Sequence, residues 1–160
     1  MKQKAPNLIE IKQWTKWFAI EHNNRAWSLA ELAERTNTEQ REMINAAHAA
    51  ALHWSRIGQA INGYRADQLL CWVYALTGDA TRAAEYGQRC AAAVDADLEG
   101  LSSWDRSFQT LVDAMVAKAS GDGKNHDAAK TRATAARQSL TDPSNREVFD
   151  GFAKQAGIDF

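Results

Sequence analysis

The chain has 160 residues, which fits one domain and hardly two. Its 19 Lys+Arg against 20 Asp+Glu leave a net charge of −1, which argues against a globally basic, nucleic-acid-binding surface. Hydrophobic residues make up 45%, so a packed core is expected rather than disorder, and only 2 Pro and 9 Gly beside abundant Ala point to helix.

The N-terminus, Met1 to Asn7, is polar, and no apolar stretch of signal-peptide length follows it. The longest apolar runs, around Ala49–Leu52 and Leu69–Leu76, fall short of the ~18 residues a membrane span requires. A cytoplasmic location without membrane contact is therefore expected. Asn7 with Glu10 has the form of a capping box, and Leu8, Ile11, Trp14 and Phe18 follow at helical spacing. Trp27, Leu29, Leu32 and Ala33 carry a second helical stretch, and the pattern leaves open whether residues 7–36 form one helix or two. Thr36-Asn37-Thr38 is a break, with Asn37 and Gln40 as the expected cap of the next helix. Met43, Ala47, Ala50, Ala51, Trp54 and Ile57 form one apolar stripe, and Gly58 and Gly63 bracket a boundary.

Leu69, Leu70, Val73 and Leu76 mark a further helix, with Gly78 as its C-terminal cap. Asp79 caps the next, whose stripe is Ala83, Ala84, Gly87, Cys90, Ala91 and Val94. Asp97–Ser103 reads as a loop, then Phe108, Leu111, Val112, Met115 and Ala119 form another stripe. Gly121 to Asn125 is the clearest loop signal, followed by the small-residue helix of Ala129, Ala133, Ala136 and Leu140. Asp142-Pro143 starts the last helix, which carries Val148, Phe149, Phe152 and Ala153. No segment alternates with period 2 for long enough to predict a strand.

The informative feature is a repeated pair. A helix rich in large residues runs into Gly-Asp and then a helix rich in alanine, once at Gly78-Asp79 and again at Gly121-Asp122. Large residues facing small ones let paired helices approach closely, and stacked pairs bury faces that one pair alone leaves open. Against the tetratricopeptide pattern Leu70, Tyr74 and Ala83 match, while Asp67, Cys71, Gly87 and Asp95 depart from it.

The ordered pieces Ala46-Ala47-His48-Ala49, His53-Trp54, Gly58, Arg65, Trp72 to Leu76, Gly78, Tyr86, Arg89-Cys90, Trp104-Asp105 and Phe108 carry a resemblance. They resemble an uncharacterised bacterial family of small proteins built from tetratricopeptide-like helical hairpins, over roughly residues 25–145. The resemblance implies an all-α stack of antiparallel hairpins, roughly six to eight helices, and no particular activity. It divides the single domain into an N-terminal helical extension over 1–24, hairpins over 25–145 and a C-terminal helix over 146–160.

His48 and His53 are the first candidates for chemistry. Five residues on a helix place them roughly 140° apart, so they cannot share a ligand, and helical zinc pairs use a three- or four-residue step. The plain reading has each ring satisfied between packed helices; the alternative is a helical-bundle enzyme or metal protein using His48 or His53 with Asp105. Cys71 and Cys90 read as small core residues, no nucleophile elbow or phosphate loop is present, and neither metal nor cofactor is expected. In stacked hairpins the first helix of each pair lines the concave face. Off their apolar stripes these helices carry Trp27, Glu31, Arg65, Gln68, Trp72, Trp104, Asp105, Arg106, Gln109 and Asp113. Aromatic anchors among charges of mixed sign suit a protein or peptide partner better than a polyanion. Trp14 and Trp17 lie on a helix that docks either within the chain or on a second copy, and Lys2, Lys4, Lys12 and Lys16 form a modest basic flank.

Overall fold

The computed structural model describes residues 7–160. Among these, seven helices follow one another without a strand: Leu8–Ala30 (α1), Asn37–Ile57 (α2), Ala60–Leu76 (α3), Ala80–Asp95 (α4), Ser103–Ala119 (α5), Gly123–Ser139 (α6) and Pro143–Gln155 (α7). The all-α expectation therefore holds. α1 packs along α2, α3 along α4 and α5 along α6, so short links join three antiparallel hairpins. α3 also meets α1, α2 and α5, and α7 closes against α5.

The Gly-Asp pairs explain two of the three hairpin turns. Gly78 and Gly121 adopt φ of +80° and +68°, left-handed values that a side chain strains against. At each, the N–H of the following Asp returns to the last turn, Asp79 to the Tyr74 carbonyl and Asp122 to the Ala117 carbonyl, both at 2.9 Å. The same aspartates then cap the next helix, their carboxylates accepting from the N–H of Arg82 at 3.0 Å and of Asn125 at 3.1 Å. One dipeptide thus ends one helix and starts the next. The first hairpin lacks it, and the Arg35 guanidinium instead donates to the carbonyls of Leu29, Ala30 and Leu32.

Other boundaries differ from the sequence reading. α1 is one continuous helix from Leu8 to Ala30 that crosses the expected boundary at residue 24, while residues 1–6 of the expected extension lie outside the described residues; the Asn7–Glu10 capping box is present, and its helix runs on as the partner of α2. The cap of α2 is Thr36 with Glu39, one residue earlier than expected. Gly63 lies inside α3 rather than at a boundary, and Lys124 and Asn125 belong to the first turn of α6 rather than to a loop. Asp142 caps α7 ahead of Pro143 as expected, so that helix begins before residue 146.

Large meets small in the second and third hairpins. α3 buries Leu69, Leu70, Trp72 and Val73, and α5 buries Phe108, Leu111, Val112 and Met115. Against them α4 buries only Ala83, Gly87 and Cys90, and α6 only Ala129 and Ala133. α1 departs from this, because its core face is Ala19, Ala26, Leu29 and Ala30 while Trp14 and Trp17 point elsewhere. The close approach is tightest at Gly87, where a Cβ would lie 2.7 Å from Cγ2 of Val116. Gly87→Ala gains about 1 kcal/mol of helix propensity, but the overlap is expected to outweigh it and lower stability by about 1–2 kcal/mol net. A lower thermal midpoint that recovers in the Gly87→Ala/Val116→Ala double variant checks this; a raised midpoint in the single variant contradicts it.

Candidate functional site

The first helices of the three hairpins, α1, α3 and α5, border one open cavity of about 530 Å³. α1 contributes Asn23, Trp27 and Glu31, α3 contributes Arg65 and Gln68, α5 contributes Trp104, Asp105 and Phe108, and α7 adds Phe152. Trp27, Arg65, Gln68, Trp104 and Asp105 are thus gathered from the residues singled out in the sequence.

The floor is a cluster of aromatic rings. Trp27 meets Phe152 edge-on at 5.2 Å and Phe108 at 5.8 Å, and Trp104 stacks on Phe108 at 6.0 Å. Beneath them lies Trp72, which stacks on Phe108 at 5.4 Å and is 0% exposed. Its indole N–H donates to Oε1 of Gln155 at 2.9 Å, and Nε2 of Gln155 donates to the Ala30 carbonyl at 3.0 Å. Gln155 therefore ties α7 to α3 and to the C-terminus of α1, which seats Phe152 at the cavity. Trp72 corrects the sequence reading: it supports the groove from below and does not line it. The reason is that α3 is enclosed by α1, α2, α4 and α5, so a position off its apolar stripe still points into protein.

One wall is electrostatic. Nε and Nη2 of Arg65 donate to the two carboxylate oxygens of Asp105, at 2.8 and 2.9 Å. Asp105 is 2% exposed and also accepts from the Ser102 N–H at 2.9 Å and the Ser102 hydroxyl at 2.6 Å, as the capping-box acid of α5. Burial pulls the Asp105 carboxyl up, but the Arg65 fork and the Ser102 donors outweigh it and hold it below the usual carboxylate range. Both charges are thereby committed to each other. Glu31 at the rim is exposed and supplies the cavity with a carboxylate that no described residue pairs.

Gln109 and Asp113 are the other corrections. Behind the groove, the Tyr64 hydroxyl accepts from Gln68 at 2.8 Å and lies 3.1 Å from Oε1 of Gln109. Gln109 donates to Asp113 at 2.9 Å, and Asp113 accepts from Arg132 on α6 at 2.9 Å. This chain runs through the interior to the far side of α5, so Gln109 and Asp113 join helices and do not face the cavity. Arg106, on the opposite side of α5 as well, pairs with Asp97.

His48 and His53 sit on α2 and face apart, as their spacing requires. Nε2 of His48 lies 2.7 Å from the Tyr74 hydroxyl, in a group with the stacked rings of Tyr74 and Tyr86. His53 stacks on Phe18 at 5.6 Å and on His22 at 5.8 Å, toward α1, and its Nδ1 is buried with no partner among the described residues. Burial lowers the pKa of both rings, helped at His48 by Arg82 and at His53 by His22. Neither shares a partner with Asp105, and among the described residues no three His, Cys, Asp or Glu side chains gather as metal ligands. Cys71 and Cys90 are free and buried, and burial pushes the Cys71 thiol up to about 12. No helix among the described residues is long and apolar enough to cross a membrane.

Sequence reasoning missed Asn23, Phe108 and Phe152 at the cavity and Gln155 behind it. Phe149 and Phe152, three residues apart on α7, were the available signal, since they give that helix two large rings to bury. Comparison with protein-family models, with curated proteins and with solved structures returns no match.

Proposed function

We propose that this protein is a non-catalytic interaction module that holds a protein or peptide segment in the groove between α1, α3 and α5, within a tetratricopeptide-like stack of hairpins. The observation that carries the reading is that the first helix of every hairpin contributes to one open cavity with an aromatic floor. Its volume suits one or two anchoring side chains of a longer segment. Trp27, Trp104 and Phe152 offer the rigid aromatic surface on which such anchors depend. Arg65 and Asp105 neutralise each other, so the unpaired Glu31 gives the rim its sign and favours a segment with a basic residue beside an apolar one. Among the described residues Glu31 is also the one free acid or base on the cavity wall, and a lone exposed carboxylate is a poor centre for acid–base chemistry.

Selection of a random peptide library against the native protein tests this. Enrichment of peptides pairing Lys or Arg with an aromatic or large aliphatic residue is expected. Trp104→Ala should weaken the selected peptides roughly 30-fold or more, the scale of a central aromatic anchor. Glu31→Gln should mainly slow association and flatten its salt dependence. Failure to enrich any peptide, or peptides whose binding ignores Trp104→Ala in a folded variant, would overturn the reading.

A further inference from the structure

We infer that the N-terminal half of α1 is the interface on which two copies of this chain associate. This surface is separate from the groove. Leu8, Ile9, Ile11, Trp14, Trp17, Phe18 and Ile20 are all exposed, Leu8 at 78%, Trp14 at 58% and Trp17 at 49%. A helix apolar on every side is normally buried on every side, yet here only Ala19 is enclosed in this stretch. Trp14 and Trp17 pack on each other and on Phe18 instead of on the core, with ring centroids 5.0 to 6.3 Å apart, and Phe18 also reaches His53 of α2. Together these side chains leave on the order of 700 Å² of apolar surface in solvent, close to the ~800 Å² per partner of a standard stable interface and above what a monomer usually tolerates.

The occupant follows from shape and charge. Trp17 and Phe18 also form one bank of an open trough of about 1010 Å³, with Ala46 and Ala49 of α2 opposite and two acids and two arginines, Glu21, Glu42, Arg25 and Arg41, balancing one another along it. A protruding indole at Trp14 and an open trough of balanced charge therefore lie side by side on one surface. That is the self-complementarity a two-fold contact demands, since each copy then supplies both the ridge and the hollow. Between Leu8 and Ile20 the charges are Glu10, Lys12 and Lys16, too few and too balanced to select a strongly charged partner. An anionic lipid surface fits less well, because Glu10 and Glu21 fall at helical spacing on the same outward side as Trp14 and Trp17.

Sedimentation equilibrium of the full chain over a wide concentration range tests the inference, with a Trp14→Glu/Trp17→Glu variant beside it. Both positions are exposed, so the variant should keep its helix content by circular dichroism. The native chain is expected to reach about twice its 17.7 kDa mass, and the variant to dissociate roughly 30-fold or more readily. A native chain that stays monomeric up to roughly 100 μM, where micromolar association would show, overturns the inference. So does a dimer that ignores the substitutions. Co-sedimentation of the native monomer with phosphatidylglycerol vesicles would reassign the surface to lipid. Because the groove variants Trp104→Ala and Glu31→Gln lie elsewhere, they should leave the dimer intact, so loss of peptide binding and loss of dimer are read separately.

Discussion

Trp72→Ala is expected to lower the unfolding free energy by about 3–5 kcal/mol, the range for truncating a fully buried large aromatic side chain. The ring lies at the junction of α1, α3, α5 and α7, against Trp27, Phe108 and Phe152 at centroid distances of 6.2, 5.4 and 5.4 Å. Its removal leaves a cavity between side chains on four helices, which cannot all close in at once. It also leaves Oε1 of Gln155 without the indole N–H it accepts. Trp72→Phe keeps most of the packing and loses that donor, so it should cost distinctly less. Urea unfolding of the three proteins separates these effects through the midpoint at constant slope. A Trp72→Ala loss below about 1 kcal/mol would mean that the ring is not the shared core of the four helices.

Asp105→Ala is expected to cost about 2–3 kcal/mol, the scale of losing buried hydrogen bonds to a charged acceptor. The ion pair itself contributes little of this, because the Arg65 side chain is 50% exposed and water can replace its partner. The larger share comes from Ser102, whose N–H and hydroxyl both donate to the carboxylate and which caps α5. The pH dependence carries a definite sign. The folded state holds the Asp105 carboxyl below its unfolded value of about 3.9. Its stabilisation is therefore fully present above that value and is lost as pH falls through the folded one. Stability curves of the native protein and the variant should stay apart at pH 7 and converge below roughly pH 4. A gap that persists unchanged at pH 2 would assign the loss to packing and not to the charge.

Local chemistry was legible in the sequence, and long-range burial was not. Gly78-Asp79 and Gly121-Asp122 could be read because one dipeptide supplies both the left-handed residue and the next cap, within a few residues of each other. Asn7 with Glu10, and Asp142 ahead of Pro143, succeeded for the same reason. Gly63 misled because glycine within a helix and glycine at its end look alike in a sequence, and nothing lies within 4 Å of where its Cβ would be to force the choice.

The site divides in the same way. Trp27, Arg65, Gln68, Trp104 and Asp105 lie on first helices and off their stripes, so helical period alone brought them to one side. Trp72 obeys the same rule and yet is buried, because α3 is central to the stack and has no solvent side at that level. The near-continuous apolar run from Leu69 to Tyr74 was the sign of an enclosed helix. Phe152 and Gln155 come from α7, far along the chain, and only its docking places them beside Trp27 and Ala30. The exposed aromatics of α1 were visible as residues, but that Trp14 and Trp17 stay uncovered emerges only once α2 is in place.

The six tryptophans provide the most direct test of the groove. With 5-fluorotryptophan incorporated, fluorine spectra of the folded chain can be followed as a selected peptide is added. The resonances of Trp27 and Trp104 are expected to shift, while those of Trp14 and Trp17 remain in place. Shifts confined to Trp14 and Trp17, with Trp27 and Trp104 unmoved at saturation, would contradict the groove as the binding surface.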